Sequence, residues 1–488
     1  MFLLLESQSA NWRIDGMKKL LLLCMFLCPH HALAGQAPMV FGEGGQVKML
    51  YDQRQRPQAV YLKDKVHIVY NGGGKPGGVA RKTDTTPIAV TYEPHTRTFS
   101  TPITLGEGSN DHHDGPVVWA GMDERLHVFY GWHNALGKHL ICSEPGSIGT
   151  SRDDWSAAPA PAPMMSYPWT HRIYDNRQLV VYRTGGHYSS WTYRISGDDG
   201  RTWDGPNNDV IDLDIKGGMD TDWSIYAAKA VSSDGNFLHL GFIAYDDYKR
   251  PRSEEEKASG KLDPRREYNP RYKETIFLKY NLYYVRINLR THELTNGQGE
   301  VLQTPIDIAL ANSKCMIWDT EWRGTGIVPS MVIDENNQAA FLHNISEPDS
   351  AHAFGYHYVR LVNGVWEHTR ITDSTHKWNG GYLSRAADGT LHAYVITGKD
   401  RLDSEADMDR YGGGDVEEWI STDQGFTWKR VRDLTPDRPQ FPGWKFNNVQ
   451  PVKRPDGSMV KGMLLFYGWN DSEAAQARAF LLHEDGNK

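Results

Sequence analysis

Residues Asp111–Asn134 read DHHDGPVVWAGMDERLHVFYGWHN. Two histidines open the stretch, and a short apolar segment follows from Pro116 to Trp119. Met122-Asp123-Glu124 then turns the chain back through Leu126 to Tyr130, and it ends on Trp132, His133 and Asn134. Short runs rich in Val, Phe, Trp and Tyr, split by a tight polar turn, predict an antiparallel strand pair. The first strand of a hairpin begins at the edge where the second ends. His113 and His133 are therefore expected to meet at one rim, where two imidazoles that exchange protons near neutral pH make a nucleus for a catalytic site.

The pattern recurs along the chain. An apolar strand, a turn with Asp, Gly or Asn, and a second strand reappear around Lys63-Asp64-Lys65, Asp175-Asn176-Arg177, Ser233-Asp234-Gly235, Asp334-Glu335-Asn336, Ala387-Asp388-Gly389 and Pro455-Asp456-Gly457. Counting the opening stretch gives seven copies, each followed by further strand-like sequence. That periodicity predicts an all-β, seven-bladed β-propeller of four-stranded antiparallel blades, spanning 35–488 as one domain. Ser196-Gly197-Asp198-Asp199-Gly200-Arg201-Thr202-Trp203 and Ser421-Thr422-Asp423-Gln424-Gly425-Phe426-Thr427-Trp428 share S-x-D-x-G-x-T-W. Both resemble the Asp-box turn of sialidase-like propellers, which implies a fold and no activity. Met39-Val40-Phe41 is expected to complete the last blade, whose third strand lies near Arg478 to Leu482, and so close the ring. A run rich in Arg, Lys, Glu and Pro at 248–275 reads as a charged loop insertion on the histidine rim.

Composition bounds the function. The 488 residues carry 11% aromatic side chains, 47 glycines and a net charge of -8, which excludes a general nucleic-acid binder but not a local basic cleft. Met17-Lys18-Lys19, the apolar run Leu20 to Leu27 and Ala32-Leu33-Ala34 form a signal-peptide pattern over 1–34, with Met17 as the expected start. No later stretch is long and apolar enough to be a membrane-spanning helix. The expected product is a secreted or periplasmic monomer without membrane or nucleic-acid partners. Of four cysteines, Cys142 and Cys315 lie outside the leader and are expected to be free and buried.

Propellers bind ligands where first strands begin and second strands end. Those positions collect His112, His113, His133, Asn134, His187, Tyr188, Tyr245 and Arg323, with Arg183 and Arg194 on the strands beside Tyr188. Aromatic faces stack on sugars, and Arg and Asn bind hydroxyls and acids. A clear pair of carboxylates for glycoside hydrolysis is missing from these positions. His, Tyr and Arg suit β-elimination at a uronic acid, in which a cation neutralises the carboxylate while a base and an acid move protons.

DHHDGP, FYGWHN and GGHY, in that order, resemble the ulvan lyases of polysaccharide lyase family 25 and, more distantly, family 24. The resemblance implies a His/Tyr elimination on an anionic, sulfated rhamnose–uronate polymer, ulvan. By position it places His113 and Tyr188 as the acid–base pair, and His133 and Arg194 as the groups that bind the uronate. His112, Asn134, His187, Tyr245 and Arg323 become substrate-binding residues. No cofactor is required for the chemistry, although the resemblance implies a structural metal, zinc or calcium, for which Cys315, His343, His352 and His357 are the candidate ligands. A sialidase-like hydrolase is the rival enzyme and a non-catalytic sugar-binding propeller the rival binding protein. The first wants an arginine triad with a central carboxylate, and the second wants ligand residues repeated in every blade.

Overall fold

The computed structural model describes residues 37–45, 49–73, 85–213, 223–246, 278–321, 323–348, 350–398, 412–437, 439–470 and 477–484, all within one compact unit, Gln36–Lys488. The expected leader at 1–34 and the charged insertion at 248–275 lie outside the described residues.

The predicted hairpin is present. Val117–Ala120 pairs with Arg125–Tyr130, with Val117 opposite Phe129 and Ala120 opposite Leu126. Glu124 turns the chain with φ of 60°. All four residues of Val117–Ala120 are buried, because the strand is covered on both faces and cannot alternate apolar with polar. Lys138–Pro145 and Trp155–Ala157 complete this blade outward.

Three more sheets repeat the four-stranded plan: His133–Ala135 with Met165–Arg172, Gln178–Arg183 and Trp191–Ser196; Ser330–Ile333 through Val365–Ser374; and Tyr382–Arg385 through Lys429–Asp433. Their face-to-face apolar contacts give an all-β, propeller-like ring. The expectation of seven separate four-stranded sheets is corrected, since only four sheets of the described residues have that form. One of the others has seven strands, because short strands after Leu278–Asn288 add to it. The last has nine, because Ala59–Leu62 meets Lys445–Lys453 in a parallel bridge at Val60 and Lys453. Inner strands from the two ends of the chain come close enough there to pair.

Met39–Gly44 pairs antiparallel with Ala477–His483, with Met39 opposite Leu481, so the ends of the chain share one sheet as expected. Both Asp-box turns are built alike. Asp198 and Asp423 each accept a backbone N–H and a hydroxyl from the following Thr202 or Thr427. Gly200 and Gly425 sit at φ of 75° and 88°, where a side chain would be strained. Trp203 packs against Trp119 and Phe129 of the neighbouring blade. Cys142 and Cys315 are free and buried. No helix among the described residues is long and apolar enough to cross a membrane.

The segment Tyr51–Gln58 ties several parts of the ring together. Pro57 and Arg56 carbonyls accept from Val118 N and Thr170 N, at 2.9 and 3.0 Å. Lys229 Nζ donates to Arg54 O at 3.1 Å, and the Tyr51 hydroxyl donates to Asn448 O at 3.2 Å.

Strand closure makes one prediction. Leu481 is fully buried beneath Met39–Gly44 and its cluster. Leu481→Ala should lower the unfolding free energy by about 2–5 kcal/mol, as large-to-small core changes do. Urea unfolding of the variant beside the parent would read it, and an unchanged midpoint would mean that the closing strand carries no stability.

Candidate active site

Asp111 sits at the start of a short 3-10 turn, His112–Asp114, and its side chain accepts from His113 N at 3.0 Å. That turn carries His112 and His113, while His133 arrives from the strand His133–Ala135. The two oxygens of Asp111 reach both rings. His133 Nδ1 hydrogen-bonds Oδ2 at 2.6 Å. His113 Nδ1 lies 2.7 Å from Oδ1. The imidazoles of His113 and His133 are 4.3 Å apart by centroid, with His112 3.7 Å beyond His113. The hairpin argument thus predicted this meeting.

Asp52 closes the other side. Its carboxylate is paired with Arg54 and lies 3.9 Å from His113 Nε2. Burial alone would raise the Asp52 pKa, but the Arg54 charge and hydrogen bonds, with the histidines, hold it well below the usual carboxylate range. Asp111 is held low in the same way, by hydrogen bonds to His113 and His133 against its burial. Burial and then the Arg54 charge push His113 down to about 4, so it is neutral at ordinary pH. His112 is pushed well down by burial and by His113.

Beside these rings lies Tyr167, 5.6 Å from His113 and 5.1 Å from His133. Tyr167 has φ of 56°, rare for an aromatic residue, where the register of Met165–Arg172 slips between Ser166 and Trp169. Its hydroxyl is buried and has no hydrogen-bond partner among the described residues, and burial raises its pKa well above the ordinary value. Arg183 lies 4.8 Å from the Tyr167 ring and Arg54 4.7 Å. Arg183 Nε donates to Gly185 O at 3.1 Å, while both terminal nitrogens lack partners among the described residues. Buried donors without partners are costly, so such groups mark a place where a ligand completes the set.

The row continues through Tyr226, 5.6 Å from Tyr167, to Tyr245 at 5.4 Å, His187 at 5.9 Å and Tyr188 at 6.4 Å. Lys279 Nζ lies over Tyr226, Tyr245 and Trp378 at 4.7, 5.0 and 4.3 Å. Tyr188 is therefore a rim residue, 40% exposed, next to His187. Asn134 has φ of 54° and is exposed, and its side chain lies near Gly185 and Gly186.

Arg194 and Arg323 are placed elsewhere. Arg194 donates to Tyr193 O at 2.8 Å and stands beside Gly205, so Arg183 is the arginine brought to the histidines. Arg323 lies 5.5 Å from the Trp318 ring, among the expected metal ligands. There His343 and His357 face each other across paired strands, and their ring nitrogens have no partner among the described residues, which suits a metal. Cys315 joins no three-ligand group with them among the described residues, and burial pushes its thiol up to about 12. The side chain of His352 lies outside the described residues. Half of the expected ligand set comes together.

Sequence reasoning missed Asp52, Arg54, Tyr167, Tyr226 and Lys279. Asp52 and Arg54 precede the first hairpin of the sequence pattern, and Tyr167 sits near the start of the inner strand Met165–Arg172, well before the turn that marks its hairpin.

A profile of the BNR repeat-containing family matches residues 79–374, more than half of the chain. An ulvan lyase of Alteromonas sp. (strain LOR) is 24% identical over 294 residues, covering 54% of this chain and 53% of that protein. An ulvan lyase of family 25 from Pseudoalteromonas sp. (strain PLSV) matches with the same identity and coverage. The chain thus spans about half the length of the curated relatives it matches. The solved structure of a family 25 ulvan lyase, bound to a glucuronate–rhamnose sulfate repeat, has a TM-score of 0.70 at 18% identity, covering 92% of this chain and 96% of that one. Another polysaccharide lyase structure reaches 0.58 at 12% identity, with 88% and 90% covered. These structural likenesses are of fold.

The Asp111–His133 bond fixes a tautomer. His133 should carry its proton on Nδ1, and Asp111→Asn should shift protonation toward Nε2 while the fold stands. Histidine nitrogen shifts by NMR read this, and a parent His133 protonated on Nε2 would refute the assignment.

Proposed function

This chain belongs to the BNR repeat-containing family, and we propose that it is a polysaccharide lyase that cleaves ulvan by β-elimination. The observation that carries the reading is a neutral imidazole, His113, beside the buried hydroxyl of Tyr167 and a buried guanidinium, Arg183, with open donors. The named activity of the two relatives and the lyase structures support it.

In the proposed reaction Arg183 binds the uronate carboxylate, which acidifies the neighbouring C5 proton. Arg54 adds positive charge close by. His113 takes the proton, a C4=C5 double bond forms, and the C4–O4 bond breaks with its electron pair leaving on O4. Tyr167, whose raised pKa keeps it protonated, gives its proton to O4. Asp111 orients His113 and His133 together. This assigns to Tyr167 and Arg183 the roles expected for Tyr188 and Arg194. Tyr188, His187, Tyr245 and Asn134 would contact sugars further along the cleft. Hydrolysis fits less well, because Asp52 and Asp111 are both engaged by cations or histidines.

Export by the 1–34 leader belongs to this proposal and rests on sequence pattern. A metal on His343 and His357 would be structural, and no step passes through it.

The test is ultraviolet absorbance of unsaturated uronate during action on ulvan, beside other uronate polymers and a sialoside. A rise on ulvan is expected. New reducing ends without a rise would make the protein a hydrolase. His113→Ala and Tyr167→Phe should each lower kcat by at least about a thousandfold, whereas Tyr188→Phe should stay within about tenfold; the reverse order would restore Tyr188 as the catalytic tyrosine.

The pH profile gives a second check. His113 must be neutral to act as base, and it protonates only near 4. The acid limb of kcat/KM should therefore lie near 4 rather than near 6.5. Asp111 raises the His113 pKa, so Asp111→Asn should move that limb lower still. A parent limb near 6.5 would mean that burial and Arg54 do not hold His113 below the ordinary histidine range.

A further inference from the structure

Behind the segment Gln53–Pro57 lies a cavity of about 870 Å³ along the axis, walled by the inner strands of the ring. Three of the cations that line it, Arg56, Lys229 and Lys453, come from three parts of the chain. Arg56 lies 5.2 Å from the Tyr382 ring and donates through Nε to Gln53 O at 3.2 Å. Lys453 Nζ stands 5.6 Å from the same ring. Lys229 Nζ donates to Arg54 O at 3.1 Å and feels the Arg56 charge.

None of the three makes an ion pair among the described residues. The carboxylates of the cavity wall are engaged elsewhere. Asp52, behind the segment, is held by Arg54. Asp234 is bound by Ser232 and Asn236, and Asp456 by Ser458. Asp334 accepts from Asn336 N and Gln338 N, and Glu335 pairs with Arg385. Half-buried cations that make no ion pair lose part of their hydration without a direct counter-charge, and a bound anion offsets that cost. Burial and the neighbouring arginines already push Lys229 down to about 7, and burial lowers Arg56.

We propose that Arg56, Lys229 and Lys453 form an oxyanion site in the axial cavity, separate from the cleft of His113 and Tyr167, that takes a small dianion of the sulfate or phosphate class. The guanidinium offers a planar pair of donors and the two ammonium groups point charges, a set suited to a tetrahedral oxyanion. Such an anion would offset the repulsion among the three cations and steady the segment that carries Asp52 and Arg54. The site stands independently of the lyase reaction.

The test is equilibrium dialysis of the whole protein with radiolabelled inorganic sulfate, then phosphate, in chloride at fixed ionic strength. One saturable site per chain is expected, weakened at least tenfold in Lys229→Met and in Lys453→Met and unchanged in Arg183→Gln. Should Lys229→Met fail to fold, Lys453→Met on the outer part of the wall carries the same reading. Absence of saturable binding would overturn the proposal. So would binding that survives both lysine changes and is lost in Arg183→Gln, because the anion would then sit in the catalytic cleft. Dialysis needs no turnover, so its outcome is separate from the assay on ulvan.

Discussion

The buried pair of Asp52 and Arg54 is the constraint on which the centre of this molecule depends. Both side chains are almost wholly withdrawn from water, and a buried charge is tolerated only when paired. Each also serves a second purpose. Asp52 faces His113, while the Arg54 guanidinium lies against Tyr167 and Tyr226. The segment that carries the pair is hydrogen-bonded to strands from distant parts of the chain, at Val118, Thr170, Lys229 and Asn448. Ring assembly and site assembly are therefore one event. A displaced Tyr51–Gln58 segment would withdraw Asp52 from His113 and Arg54 from Tyr167 together.

Electrostatics around that pair set the protonation of its neighbours. Burial and then the Arg54 charge lower the His113 pKa, while burial raises that of the Tyr167 phenol. Asp111 works in the opposite sense on His113, raising its pKa, and its larger contribution is geometric. One carboxylate spans two imidazoles, one from a 3-10 turn and one from a strand, and sets their spacing. Cations gather here, since the terminal nitrogens of Arg183 lack partners among the described residues while Arg54 and Lys279 stand over the same row of tyrosines. The same gathering extends through the segment to Arg56, Lys229 and Lys453 on its other side, in a protein whose net charge is negative.

Much of the architecture was legible because its signals are local. The turn at Glu124 and the Asp-box pair at Ser196–Trp203 and Ser421–Trp428 depend on residues a few positions apart. Their hydrogen bonds form as the sequence pattern requires. The meeting of His113 and His133 followed from hairpin geometry alone. The sheet count was not legible in this way. Whether an inner strand stays within its own sheet or bridges to another, as Val60 does with Lys453, depends on distances across the axis that no local pattern encodes.

The sequence by itself determined an all-β chain of repeated hairpins, the histidine pair, and a site of His, Tyr and Arg rather than paired acids. Those follow from side-chain periodicity, turn chemistry and residue inventory. Only the tertiary structure brought Tyr167 beside the histidines and Arg183 beside Tyr167. Strand parity is set by register. The slip between Ser166 and Trp169, with Tyr167 at positive φ, brings that ring toward His113, and Arg183 lies opposite Ser166 in the same sheet. Arg194 lies opposite Val180, and its guanidinium is taken by Tyr193 O beside Gly205. A one-residue change in register reverses the face on which a side chain emerges, and register is fixed by packing between strands rather than by the order of residues within one.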